Sequence, residues 1–301
     1  MVYLNQHQML PLARTAQLMR DTFALEVSQT AVIKAATAAS AKLTPVVGAI
    51  AEALKSEPIV HADETGMRVN KALHWLHTAA SGALTFMARH ARRGKEAFEA
   101  IGVLPGYAGT LIHDGWVPYR ALACRHGLCN AHHLRELVYV HEQMHQAWAK
   151  DAFDVLLHAH EQMQSTGKPL HPHQVDHLRF VFEEILHQGE QVNPRQSATG
   201  KRGRPKQSKA LNLIDRLREH GDDVWRFATD VGVPFTNNLA EQAVRMPKVK
   251  QKISGCFRTE EGADVYCTIR SYLATLHKQG QNLFDALVQT FKTTPPMPTF
   301  G

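Results

Sequence analysis

Apolar and polar positions alternate along several short segments in the first half of the chain, a pattern typical of half-buried β-strands. A helical pattern interrupts these segments twice, at 94–101 and after Trp116. The pattern therefore predicts three strands, a helix, a strand, a helix and a strand, in that order. The predicted strands cover 59–63, 72–80, 84–90, 109–113 and 127–130.

The segment before the first strand has a helical repeat of apolar residues. Apolar side chains recur at helical spacing from Leu12 to Phe23, and Ser28 is a suitable N-cap for a second helix. A helix, a short turn and a capped helix are compatible with a helix-turn-helix module and equally with a small bundle that only packs. We assign 1–57 to a helical N-terminal region and leave both interpretations open.

Helical patterns dominate the second half of the chain. They indicate a helical insertion at 135–232, which contains a basic linker rich in Pro, Gly, Ser and Lys at 193–209. Further helices are predicted within 233–260 and 261–301. The predicted core therefore consists of two segments, the strands and helices at 58–134 and, after the insertion, the last core helix within 233–260. This organisation predicts an α/β fold with a mixed sheet, a helical insertion before the last core helix, and helical regions at both ends.

Three acidic residues occur in contexts that suit a metal-dependent phosphodiester site. Asp63 ends the first predicted strand, Asp114 ends the fourth, and Glu241 lies just inside a capped helix start. A ribonuclease-H-like fold brings such groups together to hold two divalent ions, about 3.5–4 Å apart. Neighbours on a strand point to opposite faces, so only one of Asp63 and Glu64 can face this site. We assign Asp63 to it.

Each of the three acids also has an ordinary structural explanation. Asp63 can end an apolar run at a solvated turn, and Asp114 precedes glycine in a pair typical of turns. With Asn238 as N-cap, Glu241 is the third residue of a capping box, which needs no metal. The metal hypothesis rests on the three acids together.

The excess of positive charge is confined to one stretch of the chain. The formal net charge is +6, and residues 192–260 alone carry 14 Lys/Arg against 7 Asp/Glu. This concentration predicts a polyanionic partner, and we expect double-stranded DNA. On the Glu241 helix the candidate contacts are Arg245, Lys248, Lys250 and Lys252, although Pro247 can kink that helix.

The motif KRGRPK in the basic linker is a second candidate for DNA contacts. Arg202 and Arg204 flank a glycine, Pro205 keeps the segment extended, and Lys206 adds charge. A slim segment of this kind suits a narrow A·T minor groove, where the negative potential attracts arginine. A solvated basic loop is the alternative.

The four cysteines do not indicate a disulfide framework in a chain of 301 residues. No signal peptide and no run of about 18 apolar residues is present, so we expect a reduced, cytoplasmic protein with no membrane span. Cys124, Cys129 and His132 leave a zinc site open, because their spacings are C-x4-C and C-x2-H. A packing pair formed by Cys129 and His132 is the favoured interpretation.

Six sequence motifs occur along the chain, in the order HADETGMRV, HDGWVPY, CNAHHLREL, RGRPK, NNLAEQAVR and KVKQKISGCFRTEEGADVY. Together they resemble the catalytic region of insertion-sequence-66-type DDE transposases of bacteria. The resemblance implies a ribonuclease-H-like fold with a helical insertion. It also implies a catalytic, metal-binding triad at Asp63, Asp114 and Glu241 and two Mg²⁺ ions, with Mn²⁺ as an alternative. Cys129 and His132 match the C-x2-H signature that follows the second aspartate in such enzymes.

The resemblance also implies a function and partners. An enzyme of this kind cleaves DNA at the ends of an insertion sequence and transfers the strand to target DNA. It assembles as a homo-oligomer on DNA, with accessory proteins of the same element, in the bacterial cytoplasm at the nucleoid.

The chain departs from the family pattern in three respects. Gln242 stands where arginine often follows the glutamate, and Thr236 stands where aspartate is common. Relatives usually carry a further N-terminal segment, and this chain begins near the end of that region. A truncated, non-catalytic DNA-binding remnant and a stand-alone ribonuclease-H-like nuclease are therefore the alternatives.

Overall fold

The computed structural model describes residues 1–197 and 205–300. The strands are β1 (Ile59–Val69), β2 (Ala72–Ala80), β3 (Thr85–His90), β4 (Thr110–His113) and β5 (Arg125–Leu128). They form a five-stranded mixed sheet in the order β3-β2-β1-β4-β5. The predicted sequence of strands and helices in the first half of the chain is confirmed, and β2 has the predicted bounds.

Helices account for most of the remaining chain, after a π-helical turn at Tyr3–His7. The α-helices are α1 (Leu12–Phe23), α2 (Gln29–Leu54), α3 (Lys95–Ile101), α4 (Val117–Arg120), α5 (Asn130–Met144), α6 (Ala147–Thr166), α7 (Pro172–Gln191), α8 (Lys209–Glu219), α9 (Gly221–Thr229), α10 (Asn238–Ser254), α11 (Glu260–Lys278) and α12 (Leu283–Lys292). Among the described residues, no helix is both long and apolar enough to cross a membrane.

The first strand is much longer than the predicted 59–63, because it forms a hairpin with β2. The two strands pair antiparallel from His61 opposite Ala80 to Val69 opposite Ala72. Asn70 and Lys71 make the two-residue turn, with φ angles of 45° and 68°. Positive φ at both central positions is the geometry of a type I′ hairpin turn. The hairpin extends β1 past the polar residues that ended the apolar run.

The chain divides into two compact units. The first contains Met1–Leu111, Trp116–Cys124 and Asn238–Gly301. In it, α2 packs on α11 around buried Leu43, Leu273 and similar side chains. The Ser28 side chain caps α2 as predicted, accepting the N–H of Ala31 at 3.1 Å. Helix α2 is thus a long helix with one face buried in the core.

Helix α11 also covers the edge of the sheet. The side chain of Ser271 accepts the N–H of Met87 at 2.8 Å, and the Thr275 hydroxyl accepts the N–H of Thr85 at 3.0 Å. An uncovered edge strand presents free N–H groups that can pair with other chains. These two hydroxyls therefore satisfy the edge of β3 from within the first unit.

The second unit contains Ile112–Gly115 and Arg125–Asn237 and is mainly helical. Its helices α5–α9 surround an aromatic cluster in which Phe227 packs edge-on against Phe235, with ring centroids 4.8 Å apart. His160 stacks on Phe235 at 4.2 Å. This unit holds most of the predicted helical insertion.

Candidate active site

Asp63 lies in the middle of β1 and not at a strand end, so that part of the sequence prediction is wrong. The strand continues to Val69 because hairpin pairing supplies backbone partners beyond Asp63. The residue opposite Asp63 on β2 is Thr78. The half-buried carboxylate accepts the N–H of Glu64 at 2.8 Å. A central strand position fixes the backbone of Asp63 more firmly than a turn.

The neighbouring Glu64 is committed to a buried network that sequence analysis missed. Its side chain is 1% exposed and accepts two bonds from Arg93, at 2.8 Å from Nε and 2.5 Å from an Nη atom. The Tyr119 hydroxyl donates to the other carboxylate oxygen. The Arg93 guanidinium lies over the rings of Trp75 and Trp116, 4.7 and 4.0 Å from their centroids.

This network explains why Asp63, and not Glu64, is the candidate ligand. A buried carboxylate is stable only when it is paired and hydrogen-bonded, and Arg93 and Tyr119 provide both. Because side chains alternate along a strand, anchoring Glu64 on one face holds Asp63 on the other. The sequence signal was limited to the Asp-Glu pair, since Arg93 and Tyr119 are distant along the chain.

Asp114 directly follows β4, as predicted, and is half-buried. The preceding His113 is fully buried and its Nδ1 accepts the N–H of Gly115 at 3.0 Å. Its Nε2 lies 3.0 Å from Nδ1 of His126. Gly115 has a φ of 86°, which glycine adopts without strain. Asp114 and Gly115 begin the loop after β4, and the His113 ring holds that loop at Gly115.

Glu241 lies in the first turn of α10, and its side chain is 16% exposed. The helix begins at Asn238, which is therefore helical and not the N-cap that the capping-box explanation assumed. Arg245, one turn further on, approaches Glu241 at 3.8 Å. Helix α10 packs along β1 and β2, so the elements that carry Glu241 and Asp63 are neighbours in the first unit.

The basic residues of α10 differ in their surroundings. The helix continues through buried Pro247, and the Lys248 ammonium donates to the carbonyl of Gly66 in β1. Arg245 and Lys252 are exposed. Lys250, by contrast, lies 5.1 Å from the ring centroid of Phe257 and 5.6 Å from that of Tyr266. Burial lowers the pKa of Lys250.

The predicted basic anchor is only partly within the described residues. Arg202 and Arg204 lie outside them, and Lys206 is exposed. The roles assigned to these three residues stay predictions.

Cys129 and His132 are neighbours at the junction of β5 and α5. The Cys129 thiol accepts the N–H of Asn237 at 3.1 Å and lies within 4.8 Å of a ring nitrogen of His132. The neighbouring His133 has a different partner, since its Nδ1 is 3.0 Å from the side-chain oxygen of Asn130. The thiol thus ties the segment before α10 to the start of α5, and both the packing pair and a metal-binding role for Cys129 and His132 stay predictions.

The chemistry of the candidate donors fits a hard divalent cation. Asp63, Asp114 and Glu241 offer carboxylate oxygens, which are the ligands Mg²⁺ and Mn²⁺ prefer. All three side chains are half-buried, so they are held by their elements and still reachable. The Cys129 thiol is a softer ligand and is already engaged by a backbone N–H.

Comparison with known proteins identifies the family. No curated protein matches the chain. Residues 1–265 match the family described as Transposase IS66 family, which is most of the 301 residues. The chain therefore belongs to the IS66 family of transposases.

Proposed function

We propose that the chain is a DDE transposase with a ribonuclease-H-like fold, which cleaves DNA at insertion-sequence ends and joins the freed end to a target. Family membership supports action on DNA. The strand order β3-β2-β1-β4-β5, with β1 and β2 paired antiparallel, supports the fold. The observation that carries the proposal is that α10, with Glu241 in its first turn, packs on the strand that holds Asp63.

In this proposal Asp63, Asp114 and Glu241 together hold two divalent ions, with Mg²⁺ as the expected metal. When bound, such ions lower the pKa of a water nucleophile and neutralise charge on the leaving oxygen. The protein contributes position: β1 fixes the backbone of Asp63, the His113 ring holds the loop that carries Asp114, and α10 fixes Glu241. Catalysis then rests on alignment and on charge stabilisation.

The same site serves two reactions in turn. In cleavage, water attacks the phosphorus at the element end, and the bond to the 3′ oxygen breaks to leave a 3′-hydroxyl. In strand transfer, that hydroxyl attacks a target phosphodiester, forms a new P–O bond and displaces the target's own 3′ oxygen. DNA contacts are assigned to Arg245, Lys248, Lys250 and Lys252, and to Arg202, Arg204 and Lys206 in the linker. Homo-oligomers and accessory proteins complete the expected assembly.

Isosteric variants of the triad test this function. Asp63→Asn, Asp114→Asn and Glu241→Gln should each reduce Mg²⁺-dependent cleavage and joining by more than about 100-fold, since even residues that merely support a metal ligand are worth about 10–100-fold. The assay joins a pre-cut end, carrying the inverted repeat that flanks the coding segment, to plasmid DNA. Asp176→Asn, at an exposed site on α7, is the matched control.

The outcomes separate the proposed transposase from its alternatives. Full activity in any triad variant would show that the residue is not a ligand. Mg²⁺-dependent hydrolysis of generic DNA without joining would indicate a stand-alone nuclease. Binding to DNA with neither cleavage nor joining by the wild-type chain would indicate a non-catalytic remnant.

A further inference from the structure

Positive charge is concentrated at the tip of the β1–β2 hairpin and along the adjoining part of α10. Segments 66–72 and 242–258 contain seven Lys or Arg residues and no acidic residue. Six of these cations are exposed. Arg245 pairs with Glu241 at 3.8 Å, and the other five have no carboxylate within 4.0 Å in the described part of the chain. We name them the hairpin–helix surface: Arg68, Lys71, Lys248, Lys252 and Arg258.

Hydrogen bonds join the two parts of this surface. The N–H of Phe257 donates to the carbonyl of Arg68 at 3.0 Å, and the N–H of Asn70 donates to the carbonyl of Phe257 at 2.8 Å. Lys248 donates to the carbonyl of Gly66 further down the hairpin. The segment that follows α10 is therefore held against the hairpin, and its cations keep a fixed spacing.

Neighbouring acids do not neutralise this charge. Lys248 and Lys252 are one helical turn apart and share a face of α10. In the next helix, α11, Glu260 and Asp264 pair with Arg89, at 3.0 and 2.9 Å. The exposed Glu261 has no cation within 4.0 Å among the described residues, so it does not pair with Arg258 either.

The conformation of Lys71 is an independent sign that its charge has a use. Its φ of 68° is left-handed, and a type I′ turn favours glycine at this position. A side chain in this region costs about 1 kcal/mol relative to glycine. Such conformations are enriched at functional sites, and in this chain they also occur at the helix C-caps Ala24 and His145. At Lys71 the strain counts together with the exposed charge. Here the strained residue carries a cation to the outermost point of the hairpin.

We propose that the hairpin–helix surface binds the phosphate backbone of duplex DNA. The choice of DNA as the ligand rests on the proposed function. Duplex DNA carries a charge every ~1.7 Å along its axis, so a fixed row of cations can contact several phosphates. Such contacts set the position of the duplex without reading its sequence. The hairpin tip adds Arg68 and Lys71, and the segment after α10 adds Arg258, to the contacts already assigned to α10.

A matched pair of triple variants tests the surface. Arg68→Gln, Lys71→Gly and Arg258→Gln together remove three of its charges, and Arg14→Gln, Lys34→Gln and Lys292→Gln remove three exposed charges from other helices. Binding of the full chain to a random-sequence 30-base-pair duplex is measured against salt concentration without divalent metal. The surface variant should lose about 0.9 of log–log slope per phosphate contact, and the control variant should keep the wild-type slope.

The single variant Lys71→Gly guards against a folding defect in the triple variant. It relieves the left-handed strain, so it should be at least as stable as the wild type to urea while its salt slope falls by about 0.9. Equal slopes for the surface variant and the control would refute the proposal, as would an unchanged slope in Lys71→Gly. Because binding is measured without metal, loss of catalysis alone would refute the transposase function and leave this surface intact.

Discussion

The cations of the second, mainly helical unit (the helical unit) and those of the hairpin–helix surface have opposite environments. In the helical unit, Arg218 pairs with Glu183 and Glu190, and other arginines have similar partners. On the hairpin–helix surface the exposed cations have no carboxylate partner among the described residues. The paired arginines of the helical unit are Arg125, Arg179, Arg195, Arg216, Arg218 and Arg226.

The difference shows that a charge count along the sequence combines two kinds of residue. Residues 192–260 hold 14 basic and 7 acidic residues, which the sequence analysis treated as a single electropositive stretch. Much of its basic charge before 238 is neutralised by ion pairs that hold helices together. Within the described residues, charge available to a polyanion lies mainly after 241 and on a hairpin far from it in sequence. Exposed pairs add little stability individually, so the two classes should respond differently to mutation.

The largest effect on this comparison should come from Glu64, where the first unit does bury an ion pair. Glu64→Ala leaves Arg93 without its acid and Tyr119 without its acceptor, and breaking a buried pair costs about 3–5 kcal/mol. Because the Arg93 side chain is 36% exposed, we expect the lower end, about 3 kcal/mol, in urea unfolding. Cleavage activity should also fall, since Asp63 loses its anchored neighbour.

Glu96→Gln is the control for this variant. Glu96 pairs with Arg92 at 3.9 Å, and both side chains are 73% exposed. Its removal should change the free energy of unfolding by less than about 0.5 kcal/mol. Similar losses for the two variants would contradict the buried role of Glu64.

Lowering the pH should destabilise the first unit, because protonation places a positive charge on the buried His77 side chain. Burial lowers the pKa of His77 to about 4, against about 6.5 in an unfolded chain. Between pH 4 and pH 6.5, His77 is mostly protonated in the unfolded chain and mostly neutral in the folded chain. The contribution to stability is therefore complete above pH 6.5 and is lost as the pH falls through 4.

The expected loss is about 3 kcal/mol, because each pKa unit corresponds to 1.36 kcal/mol. Urea unfolding of the wild type and His77→Gln at pH 7 and pH 4 measures it. The glutamine variant should lose less stability over this range, by about that amount. His7, whose pKa burial also lowers to about 4, keeps its contribution in both chains. Identical pH dependence in the two chains would show that His77 remains accessible to protons.

The smallest expected effects come from single substitutions of one paired and one unpaired arginine. Arg218→Gln breaks two ion pairs and should cost about 1 kcal/mol of unfolding free energy, with no change in the salt dependence of DNA binding. Arg258→Gln should do the reverse, with unchanged stability and a slope lower by about 0.9. Both are measured by urea unfolding and salt titration. Two variants with the same behaviour would remove the distinction between paired and unpaired cations.

Much of the local structure could be predicted from the sequence, because the signals are local. Ser28 precedes a helical repeat and caps α2, and the alternation at 72–80 gives β2 its bounds. The end of β1 could not be predicted. The polar run after Ala62 resembles a turn, and only pairing with β2 carries the strand on to Val69.

The acidic residues of the candidate site could be predicted from the sequence, but the side chains that hold Glu64 beside Asp63 could not. Asp63, Asp114 and Glu241 were found from their positions beside predicted strands and a helix. The bonds from Arg93 and Tyr119 to Glu64 join residues 29 and 55 positions apart, and no local pattern indicates such pairs. Lys250 shows the same limit, since only folding places it over Phe257 and Tyr266.

The order of the elements, the candidate acids and the motifs that mark the family could be found without the structure. These depend on spacing along one strand or helix, where the period of side chains decides which residues share a face. Tertiary structure decided which charges are neutralised. An ion pair or a ring contact forms between side chains that are distant along the chain, so its presence depends on how helices and strands pack. Basic residues that have acidic partners therefore hold helices of the helical unit together, and those of the hairpin–helix surface, which have no carboxylate partner among the described residues, stay available to a polyanion.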